Sequence, residues 1–170
     1  MSYLILLMLT TQNILLFLSV LLSGLIMGLL YGYACSVNPG LGKLSDGEYI
    51  KAMQSINREI QNAYFFLSFM GTLIVLPVTT WYSKSHASPV CFYLMLTATL
   101  IYIAGVIGVT AFGNIPLNNA LDKFDISNAS AEQLSAQKIL FQSSWNKYHL
   151  IRTIASILTT SFVTAAIIKD

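Results

Sequence analysis

Charge is what this chain has least of. Only 9% of its 170 residues are Asp, Glu, Lys or Arg, whereas 55% are hydrophobic and the mean hydropathy is +0.67. That balance excludes an ordinary soluble domain and makes lipid the solvent for most of the chain. With a net charge of +2, the electrostatic footprint of a nucleic-acid binder is missing, so no nucleic-acid partner is expected. Cysteine is nearly absent as well. Cys35 and Cys91 lie near the ends of apolar runs without CxxC or His-rich spacing, which indicates neither a disulfide framework nor a metal knuckle. The apolar residues 1–11 have no basic residue before them and no clear small-residue cleavage site after them, which argues against a cleaved signal peptide and for a first span retained as a signal anchor.

What is present is apolar length. A hydrocarbon core of roughly 30 Å needs about 20 mostly apolar helical residues. Four stretches meet that length, at about 14–35, 60–82, 89–112 and 150–168. The expected fold is all-α, a bundle of four transmembrane helices forming one integral membrane domain over residues 1–170. Basic residues gather in two connections: Lys43, Lys51 and Arg58 between the first two spans, and Lys123, Lys138 and Lys147 between the last two. The opposite side carries Lys84 and Lys169. Because orientation follows basic residues and gives little weight to acids, the two long connections are expected in the cytoplasm and both termini outside.

Those connections carry helix signals that make them extensions of the spans. Ser45 and Glu48 have the spacing of a capping box. A helix beginning there aligns Tyr49, Met53, Ile56 and Ile60 and is expected to run straight into the second span. Leu134, Phe141, Trp145 and Tyr148 form a comparable stripe leading into the fourth. Pro77 should kink the second helix near its far end. In the first span Gly24, Gly28 and Gly32 recur every four residues, a pattern suited to close helix packing within the bundle or to self-association as a homo-oligomer or membrane-complex subunit.

Polar residues inside the spans are the functional signal, because lipid offers them no water. Gln54, Asn57, Gln61, Tyr64, Ser68 and Thr72 descend one face of the second helix. Trp145, His149, Arg152, Ser156 and Thr160 descend the fourth. Both stripes start on the side of the long connections, so one polar cavity opening to that side would satisfy them together. Arg152 needs a partner in lipid. It either snorkels or pairs with Glu59, or it binds an anionic or enolate oxygen of a ligand. His149 is an interfacial side chain, a proton acceptor or an axial metal or haem ligand. His86, the other histidine, falls on the far side of the membrane, so the two cannot share a metal within one chain. Trp145 reads as an interfacial anchor or a stacking platform. Asn114 and Asn118, flanking Pro116, face the same stripe if the segment is helical.

Four segments taken in order resemble the anthrone-oxygenase-like family of four-helix membrane proteins, most of whose members have no assigned function. They are Val37-Asn38-Pro39-Gly40-Leu41, Ala52-Met53-Gln54-Ser55-Ile56-Asn57, Gly113-Asn114-Ile115-Pro116-Leu117-Asn118-Asn119-Ala120-Leu121 and Trp145-Asn146-Lys147-Tyr148-His149-Leu150-Ile151-Arg152-Thr153. The resemblance runs from about residue 24 to the C-terminus, with Asn38 standing where a methionine or other apolar residue is expected. It implies oxidation of an activated aromatic or polyketide-like methylene through an enolate, with molecular oxygen as co-substrate and no bound cofactor or metal. His149 would take the proton, and Arg152, Asn118 and Asn57 would stabilise the enolate oxygen. Trp145, Tyr64, Gln54, Gln61 and Asn114 would hold a hydrophobic small molecule. Two other readings stand beside it: a non-catalytic bundle that binds a quinone, lipid or partner subunit, and a haem or metal oxidoreductase with His149 as ligand.

Overall fold

The computed structural model describes residues 10–170, so the expectation that residues 1–11 are not a cleaved signal peptide lies largely outside the described residues. Five helices make up the described chain: α1 (Thr11–Gly42), α2 (Asp46–Glu59), α3 (Ala63–His86), α4 (Pro89–Asp122) and α5 (Ala131–Lys169). All except α2 are long and apolar enough to cross a membrane, which makes the chain an all-helical, multi-pass membrane protein.

The helices overrun the apolar spans. α5 is one unbroken 39-residue helix, begun by a capping box in which Ser130 and Gln133 satisfy each other's backbone. At the bilayer end of the first long connection, the expected continuous helix is corrected. α2 starts at the Ser45/Glu48 capping box but stops at Glu59. Asn62 enforces the break, since its amide donates to the Glu59 carbonyl at 2.7 Å while its side-chain oxygen accepts from Phe65 N at 3.0 Å. The same residue closes one helix and caps the next. The α3–α4 turn is the short one expected, with His86 ending α3 and Pro89 opening α4.

Two cores result. The first lies among the spanning helices around Leu76, Met95, Ala98, Tyr102, Val106 and Val163. Polar pairs cross it: Ser19 to Thr79 at 2.9 Å, Thr80 to Thr99 at 2.8 Å, and Gln12 Nε2 donating to Ser83 Oγ at 2.9 Å. Between helices in lipid, such bonds and close packing do the work that water does in soluble cores. The second core sits at the end bearing the long connections, where Tyr49, Ile50 and Met53 of α2 pack on Leu121, Phe141 and Trp145. Two ion pairs fasten α2 to its neighbours, the exposed Arg58 with Asp122 at 2.6 Å and the half-buried Lys138 with Asp46 at 2.9 Å.

The close helix approaches are not where the glycine spacing puts them. A Cβ on Gly24, Gly28 or Gly32 would have nothing within 4 Å, so that stripe packs closely against no other helix among the described residues. At Gly105 a Cβ would lie 2.6 Å from Ala155 Cβ, and at Gly113 it would lie 2.8 Å from the Tyr148 ring. These two positions let α4 and α5 touch.

Candidate functional site

The spanning helices depart from α-helical winding at three places. Tyr33–Val37 in α1, Tyr102–Gly108 in α4 and Thr110–Asn114 in α4 are π-helical. A wider turn shifts the angular phase of the residues around it, and π turns concentrate at functional sites. Here they aim Tyr33, Thr110 and Asn114 at one cavity between the two cores.

That cavity measures about 240 Å³ and draws on every helix. Leu29, Leu30 and Tyr33 come from α1, Ile56 and Asn57 from α2, and Phe65, Phe66 and Phe69 from α3. α4 contributes Thr110, Asn114, Ile115 and Asn118, while α5 contributes Trp145, His149 and Arg152. The walls are therefore mostly aliphatic and aromatic, with a few convergent polar groups, the usual make-up of a small-molecule site.

The polar groups form a connected chain. Trp145 Nε1 donates to Asn118 Oδ1 at 2.9 Å, which sets the tilt of the indole. The His149 ring stacks on that indole with centroids 4.9 Å apart and planes 14° apart. Tyr33 meets His149 edge-on at 5.2 Å, while its hydroxyl donates to Met53 Sδ at 3.1 Å. Arg152, only 9% exposed, lies 5.6 Å from the Trp145 ring centre, within cation–π range. Its Nη1 donates to Thr110 Oγ1 at 3.2 Å and its Nη2 to His149 Nδ1 at 3.2 Å. A guanidinium has only donors, so Nδ1 is the acceptor and the neutral ring carries its proton on Nε2.

Glu59 is not the counter-ion of Arg152. Among the described residues the ion pairs are Arg58–Asp122 and Lys138–Asp46, and Arg152 is bonded to a hydroxyl and an imidazole instead. A buried cation thus faces the cavity without a carboxylate. Four further polar atoms here are buried without a formed hydrogen bond: Arg152 Nε, His149 Nε2, Asn57 Nδ2 and Asn114 Oδ1. Buried polar atoms are normally paired, so these four have bonding capacity to offer a ligand or water in the cavity.

Of the residues expected in the site, His149, Arg152, Asn57, Asn118, Asn114, Gln61 and Trp145 line the cavity together. Two do not. Tyr64 is 87% exposed, at the bilayer end of α3, because the break at Asn62 rotates it out of line with Asn57 and Gln61. Gln54 is turned to α4, donating to the carbonyls of Leu121 at 2.9 Å and Phe124 at 3.0 Å. The deeper halves of the two stripes also leave the cavity, since Ser68, Thr72 and Ser156 return their hydroxyls to carbonyls of their own helices. Tyr33, Thr110 and Phe69 were not anticipated. Thr110 alone had a signal, lying one turn before Asn114.

No group of three or more His, Cys, Asp or Glu side chains that could hold a metal occurs among the described residues. His86 sits at the far end of α3 and stacks on Tyr82 at 4.0 Å. Ser88, two residues on, donates to the carbonyl of Lys169 at 2.7 Å. Lys169 is 20 residues beyond His149 along α5, about 30 Å at 1.5 Å per residue.

Compared with known proteins, a family model described as anthrone oxygenase matches residues 61–162, covering all of α3 and α4 and the larger part of α5. No curated protein and no solved structure matches the chain.

Proposed function

The chain belongs to the anthrone oxygenase family, and from that membership and the cavity we propose that it oxidises the activated methylene of an anthrone-like polycycle to a carbonyl with molecular oxygen. The observation that carries the reading is the buried Arg152 cation, held beside His149 without a carboxylate at the edge of an aromatic-walled cavity.

Such a methylene is acidic because losing its proton makes the central ring aromatic and moves the charge to the carbonyl oxygen. His149 takes that proton. Arg152 and the unpartnered Asn57 amide meet the enolate oxygen, in a site dry enough to make those interactions count. Asn118 serves indirectly, by orienting Trp145, which forms part of the wall that the rings pack against. Phe65, Phe66 and Phe69 supply the apolar wall first assigned to Tyr64.

The electrons balance without a cofactor. An enolate can pass one electron to triplet oxygen, and the resulting radical pair collapses to a peroxide at carbon. The imidazolium returns its proton to that peroxide. Loss of water then leaves a carbonyl, so CH2 and O2 become C=O and H2O, a four-electron exchange on each side. An axial-ligand role for His149 would have to use Nε2, since the guanidinium occupies Nδ1. The excess of basic residues supports a cytoplasmic position for the long connections.

Purified protein in lipid nanodiscs should consume oxygen and form the quinone when given anthrone, with neither reductant nor metal added. Oxygen uptake at the uncatalysed rate by folded protein, alongside an active homologue, would refute the proposal. Stoichiometric retention of an anionic lipid or quinone without turnover would favour a binding role for the same pocket.

A further inference from the structure

In this cavity the two groups that the reaction needs are tied to each other. Arg152 Nη2 donates to His149 Nδ1 at 3.2 Å, and that nitrogen holds the one lone pair with which a neutral imidazole accepts a proton. While the bond stands, His149 is no base towards a C–H, and the cation meant for the oxyanion is engaged elsewhere. Beyond its cation–π contact with Trp145, no opposite charge holds Arg152 in place among the described residues. Its other bond is to the neutral Thr110 hydroxyl, and its Nε is buried and unpartnered. The described residues provide no carboxylate to anchor it, and residues 1–9 contain no acid.

The geometry points to a latch operated by the substrate: an acceptor oxygen entering the cavity draws the Arg152 guanidinium off His149 Nδ1, and only then is the lone pair free to take a proton. This rests on the reading of His149 as the base. It adds an order of events and a requirement on the substrate class. The ligand must present a carbonyl oxygen conjugated with the carbon that loses its proton, and the oxygen must engage first. In the released state the C–H bond breaks, its electron pair becomes the enolate, and the proton forms a new bond to Nδ1. The enolate charge then rests against Arg152. No oxidation occurs in this step, so a carbanion is generated only when its counter-ion is already in position. A hydrocarbon of similar shape that lacks the oxygen leaves the latch shut.

The latch can be read without turnover. Protein labelled with 15N-histidine, in a His86→Gln background that leaves His149 as the one histidine signal and a Trp81→Phe background that leaves Trp145 as the one indole, is placed in nanodiscs. The probe is 10,10-dimethylanthrone, which has the carbonyl oxygen but no proton to lose. The empty protein should show Nδ1 as an unprotonated acceptor of a strong hydrogen bond and Nε2 as protonated. Saturating probe, followed by quenching of Trp145, should shift Nδ1 to the position of a free acceptor, the position that Arg152→Met shows without probe. A bound probe that leaves Nδ1 hydrogen-bonded overturns the latch, as does a probe that does not bind at all. If Nδ1 is released but anthrone undergoes neither anaerobic hydrogen–deuterium exchange at its methylene nor oxidation, the latch stands as a binding device and the catalytic reading fails.

Discussion

A guanidinium in a membrane helix has to be answered by something, and at Arg152 the answer is a hydroxyl and an imidazole nitrogen, both neutral. Removing it therefore strands no buried carboxylate, and the stability cost of Arg152→Ala should be modest. Its catalytic cost should be large, about 10²- to 10³-fold in kcat, as for loss of an oxyanion donor. His149→Ala should be inactive. Oxygen uptake and thermal unfolding, measured together on each variant, check the pair; unfolded variants would make the polar stripe structural. Both residues were legible in the sequence because an ionisable side chain inside an apolar run has few innocent uses. Tyr33 and Thr110 were not, since hydroxyl-bearing residues are ordinary in such runs and only the π turns bring these two to the cavity. Tyr64 was misplaced because helical spacing was carried across Asn62, a residue that breaks the helix by capping the next one.

The elements divide in the same way. Helix identity followed from apolar length and from the Ser45/Glu48 capping box, which are local patterns. Inter-helix approach is a property of two chain segments at once, and the spacing of glycines in one of them did not reveal it. Gly105→Leu should prevent assembly of α4 on α5, because even a Cβ there meets Ala155 at 2.6 Å. Gly113→Ala should destabilise by about 1–3 kcal/mol, the usual cost of overpacking, unless the Tyr148 ring gives way. Gly28→Leu should leave the thermal stability of the single chain unchanged and alter only self-association, read by cross-linking in membranes. A pH effect belongs to α2. The Ser45 hydroxyl and backbone N–H hold the Glu48 carboxyl below the usual carboxylate range. A lowered folded-state pKa contributes stability above the ordinary value and loses it as pH falls through the lowered one. Amide protection in the first turn of α2 should therefore decline only in that acidic window, and Glu48→Gln should flatten the response.

For the whole molecule, exposed aromatics mark where the bilayer lies. Tyr64 and Phe112 stand out at the end bearing the long connections, and Trp81 and Tyr93 at the other. Tyr64 and Trp81 are 17 residues apart on α3, about 26 Å along the axis, close to a hydrocarbon thickness. Such belts sit at the two interfaces. The cavity thus begins at one interface, near Gln61 and Asn118, and reaches inward to Phe69 and Arg152, a depth at which a polycycle and oxygen both partition from the lipid. Impermeant maleimide should label Lys51→Cys from the cytoplasmic side and Lys84→Cys from the opposite side. The central claim is that this cavity adds molecular oxygen to carbon using its own side chains. Anthrone oxidised under 18O2 by purified protein, with no reductant present, tests it most directly. One 18O atom should appear at the former methylene carbon per oxygen consumed, and none above background with Arg152→Met. Product lacking the label, or formed only when a reductant is supplied, would contradict the account.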